Sequence, residues 1–246
     1  MEKQTIETFT GKQDVYDNSR PYYPETLVAQ LKLPKIIADI GSGTGKLTIQ
    51  LLRRGHIVYG VEPNDSMRTK AEENLSHYYT FFSINGSAEE TNLLPNSVDC
   101  ITVAQAFHWF NKETFQKECK RILRQDGKIV LLWNMRKLDN EINKKWYGIF
   151  RKFCPAFQGF SSGMKKDDER IIKFFHKGYE RIIEDSPIYV TKEQFLHRSL
   201  SSSYSLKQED REYSLYIDAL EQLFEQYKEN EYLKIENETV AYIGIV

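Results

Sequence analysis

Cysteine is scarce in this 246-residue chain: only Cys100, Cys119 and Cys154 occur, with no Cys-x-x-Cys pair and no cluster of histidines. That pattern excludes a disulfide scaffold, gives no metal site and fits reduced thiols in the cytoplasm. An excess of charge of one sign is also missing. Lys and Arg number 34 against 35 Asp and Glu, so the basic surplus with which nucleic-acid binders neutralise phosphates is absent. No stretch approaches the roughly 18 apolar residues of a membrane span, and the first residues lack the basic-then-apolar order of a signal peptide. The expectation is a cytoplasmic protein, monomer or homodimer, with neither nucleic acid nor membrane as its partner.

What is present is a chain that is 40% apolar and 13% aromatic, long enough to bury a sizeable core as one domain. Short β-branched runs at 35–40, 56–61, 98–103 and 128–133, with a weaker one at 79–84, alternate with amphipathic stretches. That alternation predicts strand-helix units feeding a parallel sheet covered on both faces. Helices are expected from about 44 to 54, from 65 to about 75 behind Asn64 as cap, and after Asn111, where Phe115, Cys119, Ile122 and Leu123 share one face until Gly127. The flanks differ in character. Residues 1–34 read as an N-terminal lid, and 138–205, rich in charge and large aromatics, as an inserted cap. Ser205 followed by Gln208 predicts the start of a long periodic helix, and a last strand is expected near 240–246.

The most informative stretch is Asp39-x-Gly41-Ser42-Gly43-x-Gly45, where the first strand turns into the first helix. A phosphate-binding P-loop would need Gly at 40 and Ser or Thr at 47, which hold Ile40 and Leu47. A dinucleotide fingerprint would need a third glycine at 46, which is Lys46, and this weakens a nicotinamide oxidoreductase. Glu62 stands 21 positions after Gly41 (62 minus 41), at the end of the second run, where an acid can accept two hydrogen bonds from a ribose diol.

With Gly86-Ser87-Ala88-Glu89, the segment 94–99 and the segment 121–130, these residues resemble in order the motifs of the class I S-adenosylmethionine-dependent methyltransferases. Within that class the chain resembles the type 11 methyltransferase-domain family, near small-molecule enzymes of the trans-aconitate type. The resemblance covers about 36–134 as a cofactor-binding core within a single 1–246 domain. It implies an α/β, Rossmann-like, seven-stranded, mostly parallel sheet with an antiparallel last strand and helices on both faces. It also implies S-adenosyl-L-methionine as cofactor, with Asp39, Gly41, Ser42, Gly43 and Gly45 at the methionine part, Glu62 at the ribose, and Met67, Ser87, Ala88 and Ala104 completing the site. Ser87 departs from the Asp or Asn common at that position, leaving the Ala88 amide to read the adenine edge. Met67 packs on the adenine or fills the core.

After the fourth run, Gln105-x-x-His108-Trp109 carries none of the Asn/Asp-Pro-Pro-aromatic or Pro-Cys signatures of nucleobase methylation. The His-Trp pair is similar to that of enzymes that esterify carboxylates. His108 is read as a general base, a hydrogen-bond donor to an acidic substrate, or a packed residue. Arg20 and Arg136 are candidate carboxylate clamps or surface ion pairs, and Tyr16, Trp109 and Trp133 line an apolar pocket or fill the core. The expectation is methyl transfer to a small molecule bearing a carboxylate or hydroxyl. The alternatives are a methyltransferase-like subunit without independent activity and an NAD-dependent oxidoreductase.

Overall fold

The computed structural model describes residues 21–202 and 204–246. Its sheet strands are β1 (Ile36–Ile40), β2 (Ile57–Val61), β3 (Phe81–Ile84), β4 (Val98–Ala104), β5 (Leu123–Arg136), β6 (Tyr179–Asp185) and β9 (Asn237–Gly244), arranged β3-β2-β1-β4-β5-β9-β6. A separate hairpin pairs β7 (Ile188–Val190) with β8 (Leu233–Ile235). The first five strands of the sheet are parallel, whereas β9 runs antiparallel to both neighbours. This is the seven-stranded Rossmann-like sheet expected from the sequence.

The helices are α1 (Glu25–Gln30), α2 (Lys46–Arg53), α3 (Asp65–Leu75), α4 (Lys112–Ile122), α5 (Glu141–Phe153), α6 (Glu169–Phe174), α7 (Lys192–Leu200) and α8 (Tyr213–Tyr227). On one sheet face Leu27, Leu51, Ala71 and Leu75 of α1, α2 and α3 close over Ile37, Val58 and Leu132. On the other, Phe115, Ile122, Ile171 and Phe174 of α4 and α6 cover Ile101, Leu131 and Tyr242. Strands enclosed on both sides must be apolar on both sides, which is why they read as continuous runs rather than as alternation. A third core, formed by Trp146, Phe150, Phe195, Tyr216, Leu220, Leu233 and neighbours, holds α5, α7, α8 and the hairpin together. It extends well beyond residue 205.

Asn64 and Asn111 cap α3 and α4 as expected, each accepting a backbone amide three residues on (Met67 and Thr114). The fourth helix stops at Ile122 rather than near Gly127, because Leu123 already pairs with Val98 and the strand bulges before Lys128 pairs with Cys100, with Asp126 at φ +62°. Ser205 caps nothing: the long helix starts at Tyr213, and the Ser205 hydroxyl lies 3.2 Å from the Tyr216 phenol. The capping box of this region is instead at Thr191 and Gln194, opening α7. No helix among the described residues is long and apolar enough to cross a membrane.

Candidate cofactor and acceptor site

The β1–α2 turn is built by three glycines in the left-handed region, Gly41 at φ +69°, Gly43 at +57° and Gly45 at +88°. Two of them are enclosed. A Cβ on Gly41 would stand 2.7 Å from Ala106 Cβ, and one on Gly45 would stand 2.8 Å from Leu75 Cδ1. Gly43 faces open space, with no atom within 4 Å of a Cβ built there. The turn is pinned to β2 by the Gly41 and Ser42 amides, which both donate to the Val61 carbonyl (2.8 and 3.2 Å).

Two buried carboxylates flank it. Asp39 is 1% exposed; its Oδ2 accepts from the Thr48 hydroxyl at 2.7 Å and its Oδ1 from that of Thr102 at 2.8 Å. Burial pushes its carboxyl up to about 6, against the pull of the two hydroxyls. Glu62 Oε2 accepts the Gly43 amide at 3.0 Å and Oε1 the Asn64 amide at 2.9 Å. Burial raises its carboxyl too, and the two amides oppose the rise. Arg68 donates to the Glu62 carbonyl, holding the turn that leads into α3.

A narrow cleft above the turn, with about 60 Å³ of enclosed space, is lined by Asp39, Gly41, Ser42, Gly43, Ala104 and Arg136 among the residues foreseen from sequence. Gln105, Asn134, Arg198 and Asn237 join them. Gln105 is held at φ +59°, a conformation uncommon outside glycine, with its amide donating to the Leu132 carbonyl and its side chain to that of Asn134. The segment just before α1 crosses one side, because Gln50 grips Tyr23 by both its amide and its carbonyl and Asn134 donates to the Pro21 carbonyl. Gln105 and Asn134 stand in sequence beside motif residues and could have been inferred from them. Arg198 on α7 and Asn237 on β9 carry no sequence signal, since only the fold brings them to β1.

The remaining expectations divide. Met67 is buried on the inner face of α3, and Ala88 is buried behind β3. Ser87 is turned inward on its own loop, its hydroxyl accepting the Glu89 and Glu90 amides (both 3.2 Å), so that side chain does not face the cleft. His108 and Trp109 sit half-buried on the one-turn helix after β4, rings 4.7 Å apart, and neither lines the cleft. Of the two readings of Trp133, the structure shows the core one: it is fully buried, edge-on to Phe107 and Tyr242 at 6.1 and 5.9 Å, and it does not line the cleft. Its strand alternates sides, and position 133 falls on the side covered by α4 and α6. Tyr16 and Arg20 lie outside the described residues. No His, Cys, Asp or Glu group among the described residues is arranged to hold a metal.

Residues 38–131 match the methyltransferase domain family. The chain is 37% identical over 132 residues to an uncharacterized methyltransferase of Mycobacterium tuberculosis, covering 52% of this chain and 53% of that protein. It is 33% identical over 178 residues to an uncharacterized methyltransferase-like protein of Schizosaccharomyces pombe, covering 63% and 64%. The chain thus spans about half the length of the first of these curated relatives. A solved structure from Anaeromyxobacter dehalogenans, provisionally assigned as a type II methyltransferase, superposes with TM-score 0.64 at 18% identity over 92% of this chain and 97% of that one. At that identity the likeness establishes the fold.

Proposed function

Because this chain belongs to the class I methyltransferases through its 38–131 domain, we propose that it transfers a methyl group from S-adenosyl-L-methionine to a small-molecule acceptor bearing a carboxylate or hydroxyl. The observation that carries the reading is the left-handed glycine turn with Gly43 open beside two buried carboxylates one strand apart. Those residues fit the cofactor. The glycine backbone and Asp39 would hold the methionine part, Glu62 the ribose, and Met67 and the Ala88 backbone the adenine, with Ala104 in the cleft lining.

When bound, the cofactor supplies an electrophilic methyl on sulfur, and the protein's task is to orient the acceptor and exclude water. The cleft would widen for entry, and the Glu62 carboxylate, which now accepts the Gly43 amide, would accept the sugar hydroxyls. A carboxylate acceptor arrives ionised and needs no base; a hydroxyl would need one, and His108 on the one-turn helix after β4 would serve only where the widened cleft reaches it. Arg136 supplies the cation that orients an acidic acceptor. We place this reaction in the cytoplasm, in a monomer or homodimer.

The test is calorimetric titration with S-adenosylhomocysteine, using Glu62→Ala as control. Binding in the wild type and loss of at least tenfold in the variant are expected; no heat in the wild type would end the proposal.

A further inference from the structure

Two carboxamides in the wall of the cleft, Gln105 after β4 and Asn237 at the start of β9, have no task in holding the cofactor. Both are oriented by Asn134 of β5, the strand that lies between β4 and β9. From Asn134 a line of hydrogen bonds runs to Asn237. The Asn134 side-chain N–H donates to the Pro21 carbonyl at 3.4 Å, and its Oδ1 lies 2.6 Å from the Thr239 hydroxyl. That hydroxyl lies 3.0 Å from Ser186 Oγ, which lies 3.1 Å from Asn237 Nδ2. Thr239 is fully enclosed and Asn237 is 3% exposed.

The number of hydrogens fixes the direction of this line. A carbonyl can only accept, so Asn134 turns its N–H toward Pro21 and its Oδ1 toward Thr239. The 2.6 Å contact agrees, being the length of an O–H···O bond and short for N–H···O. Each hydroxyl has one hydrogen to give. Thr239 gives its own to Asn134, so Ser186 must donate to Thr239, and Ser186 must then accept from Asn237. The Asn237 amide is thereby held with its nitrogen toward Ser186 and its oxygen turned away from the relay. That oxygen accepts no hydrogen bond among the described residues, and its side chain lines the cleft. Gln105 is set in the same manner: its Nε2 donates to the Asn134 backbone carbonyl at 3.3 Å, which leaves Oε1 as an acceptor without a donor. Buried amide oxygens are rarely left in that condition unless a ligand supplies the donor.

Neighbouring strands stand about 4.8 Å apart, so β9, three strands from β1, carries Asn237 roughly 14 Å from the glycine turn. That is beyond the methionine part of the cofactor, on the side where an acceptor would lie. We propose that Asn237 is a specificity-determining residue for the acceptor: its Oδ1, together with Gln105 Oε1 nearer the turn, selects a neutral molecule that presents O–H or N–H donors. Thr239 and Ser186 are positioning residues that act through Asn237. An ionised carboxylate has only lone pairs to set against these oxygens, so it is rejected where a hydroxyl is held. Calling this molecule the acceptor rests on the methyltransferase reading; the direction of the relay does not.

The experiment uses three probes of similar size: resorcinol with two O–H donors, 1,3-dimethoxybenzene with none, and benzoate as an ionised carboxylate. Each is titrated into the full chain with S-adenosylhomocysteine present and followed by ligand-observed NMR, and S-adenosylhomocysteine itself is titrated separately by calorimetry. Resorcinol is expected to bind at least tenfold more tightly than either other probe. Asn237→Leu should bring the ratios close to one. Thr239→Val removes the hydroxyl at nearly constant shape and lets the Asn237 amide turn over, so the preference should fall at least threefold. Thr239→Ser, which restores the donor, should recover it. Loss of packing alone would give the reverse order, because valine fills the site better than serine. Resorcinol failing to bind, either other probe binding as tightly, a preference untouched by Asn237→Leu, or Thr239→Val and Thr239→Ser behaving alike overturns the assignment. Resorcinol preference without any heat from S-adenosylhomocysteine would overturn the methyltransferase reading and leave the donor-selecting cleft standing.

Discussion

Replacing Asp39 by asparagine should make the protein more stable above neutral pH while impairing its site. The Asp39 carboxyl is fully enclosed on β1, and its hydrogen-bond partners are two neutral hydroxyls, so its charged form is poorly compensated. Burial raises it from 3.8 to about 6. At about 1.4 kcal/mol for each pH unit, this amounts to about 3 kcal/mol favouring the protonated form in the folded state. The sign follows directly: the contribution is fully present below 3.8 and is lost as pH rises through about 6, so above that range the native state carries the full cost of ionisation. Asparagine has nearly the same shape and no proton to lose. One threonine hydroxyl must turn from donor to acceptor to suit its amide, which costs about 1 kcal/mol. At pH 8 the variant should therefore exceed the wild type by about 2 kcal/mol. Relative to the wild type, its stability should grow by about 1.4 kcal/mol between pH 5 and pH 8. Urea unfolding followed by tryptophan fluorescence at the two pH values measures this, and affinity for S-adenosylhomocysteine should fall in the same variant. A difference that stays constant with pH, or grows toward acid, would refute the claim that Asp39 titrates as a buried, undercompensated acid.

Other outcomes follow from the same geometry. Gly43→Ala, in open space at φ +57°, should cost about 1 kcal/mol of stability but at least tenfold in cofactor affinity. Gly45→Ala meets Leu75 as well and should cost about 2–4 kcal/mol in the same unfolding assay; equal losses would contradict the contrast. Trp133→Phe should lower the unfolding midpoint and leave cofactor and acceptor binding unchanged, as a core position requires. All three cysteines are buried, and burial holds the Cys100 thiol up at about 12, so a thiol reagent should label none in the native state and three after unfolding. Rapid native labelling would sink that assignment.

Legibility in the sequence tracked how local the physics was. The glycine turn, the Asn64 and Asn111 caps and the continuous apolar strands are fixed by neighbours a few residues away, and each stands where the pattern places it. The start of β9 was not legible. Asn237, Glu238 and Thr239 look like a loop, yet all three are buried and satisfied by Ser186, Lys166 and Asn134, partners 51 to 105 positions distant. Arg198 reaches the cleft for a similar reason, carried there by a helix that packs through the third core. Trp133 shows the converse limit: a strand's alternation says that a side chain points to one face or the other, and only the covering helices decide whether that face is core or site.

The antiparallel strand β9 has a consequence for how such a protein can diversify. Arg136 at the end of β5 pairs with Asn237 at the start of β9, and Asp185 at the end of β6 pairs with Glu238 beside it. The excursions 137–178 and 186–236 therefore both touch the sheet at one corner. Asn143 fastens that corner by donating to the carbonyls of Lys137 and Glu236 at 2.9 and 2.7 Å. The two excursions also share the third core, where Trp146 and Phe150 of the first meet Phe195 and Tyr216 of the second, so a change in one must be matched in the other while the paired residues stay in register. The sheet corner then behaves as a common socket for one composite fitting, and that fitting can vary without disturbing the glycine turn on the other side of β4.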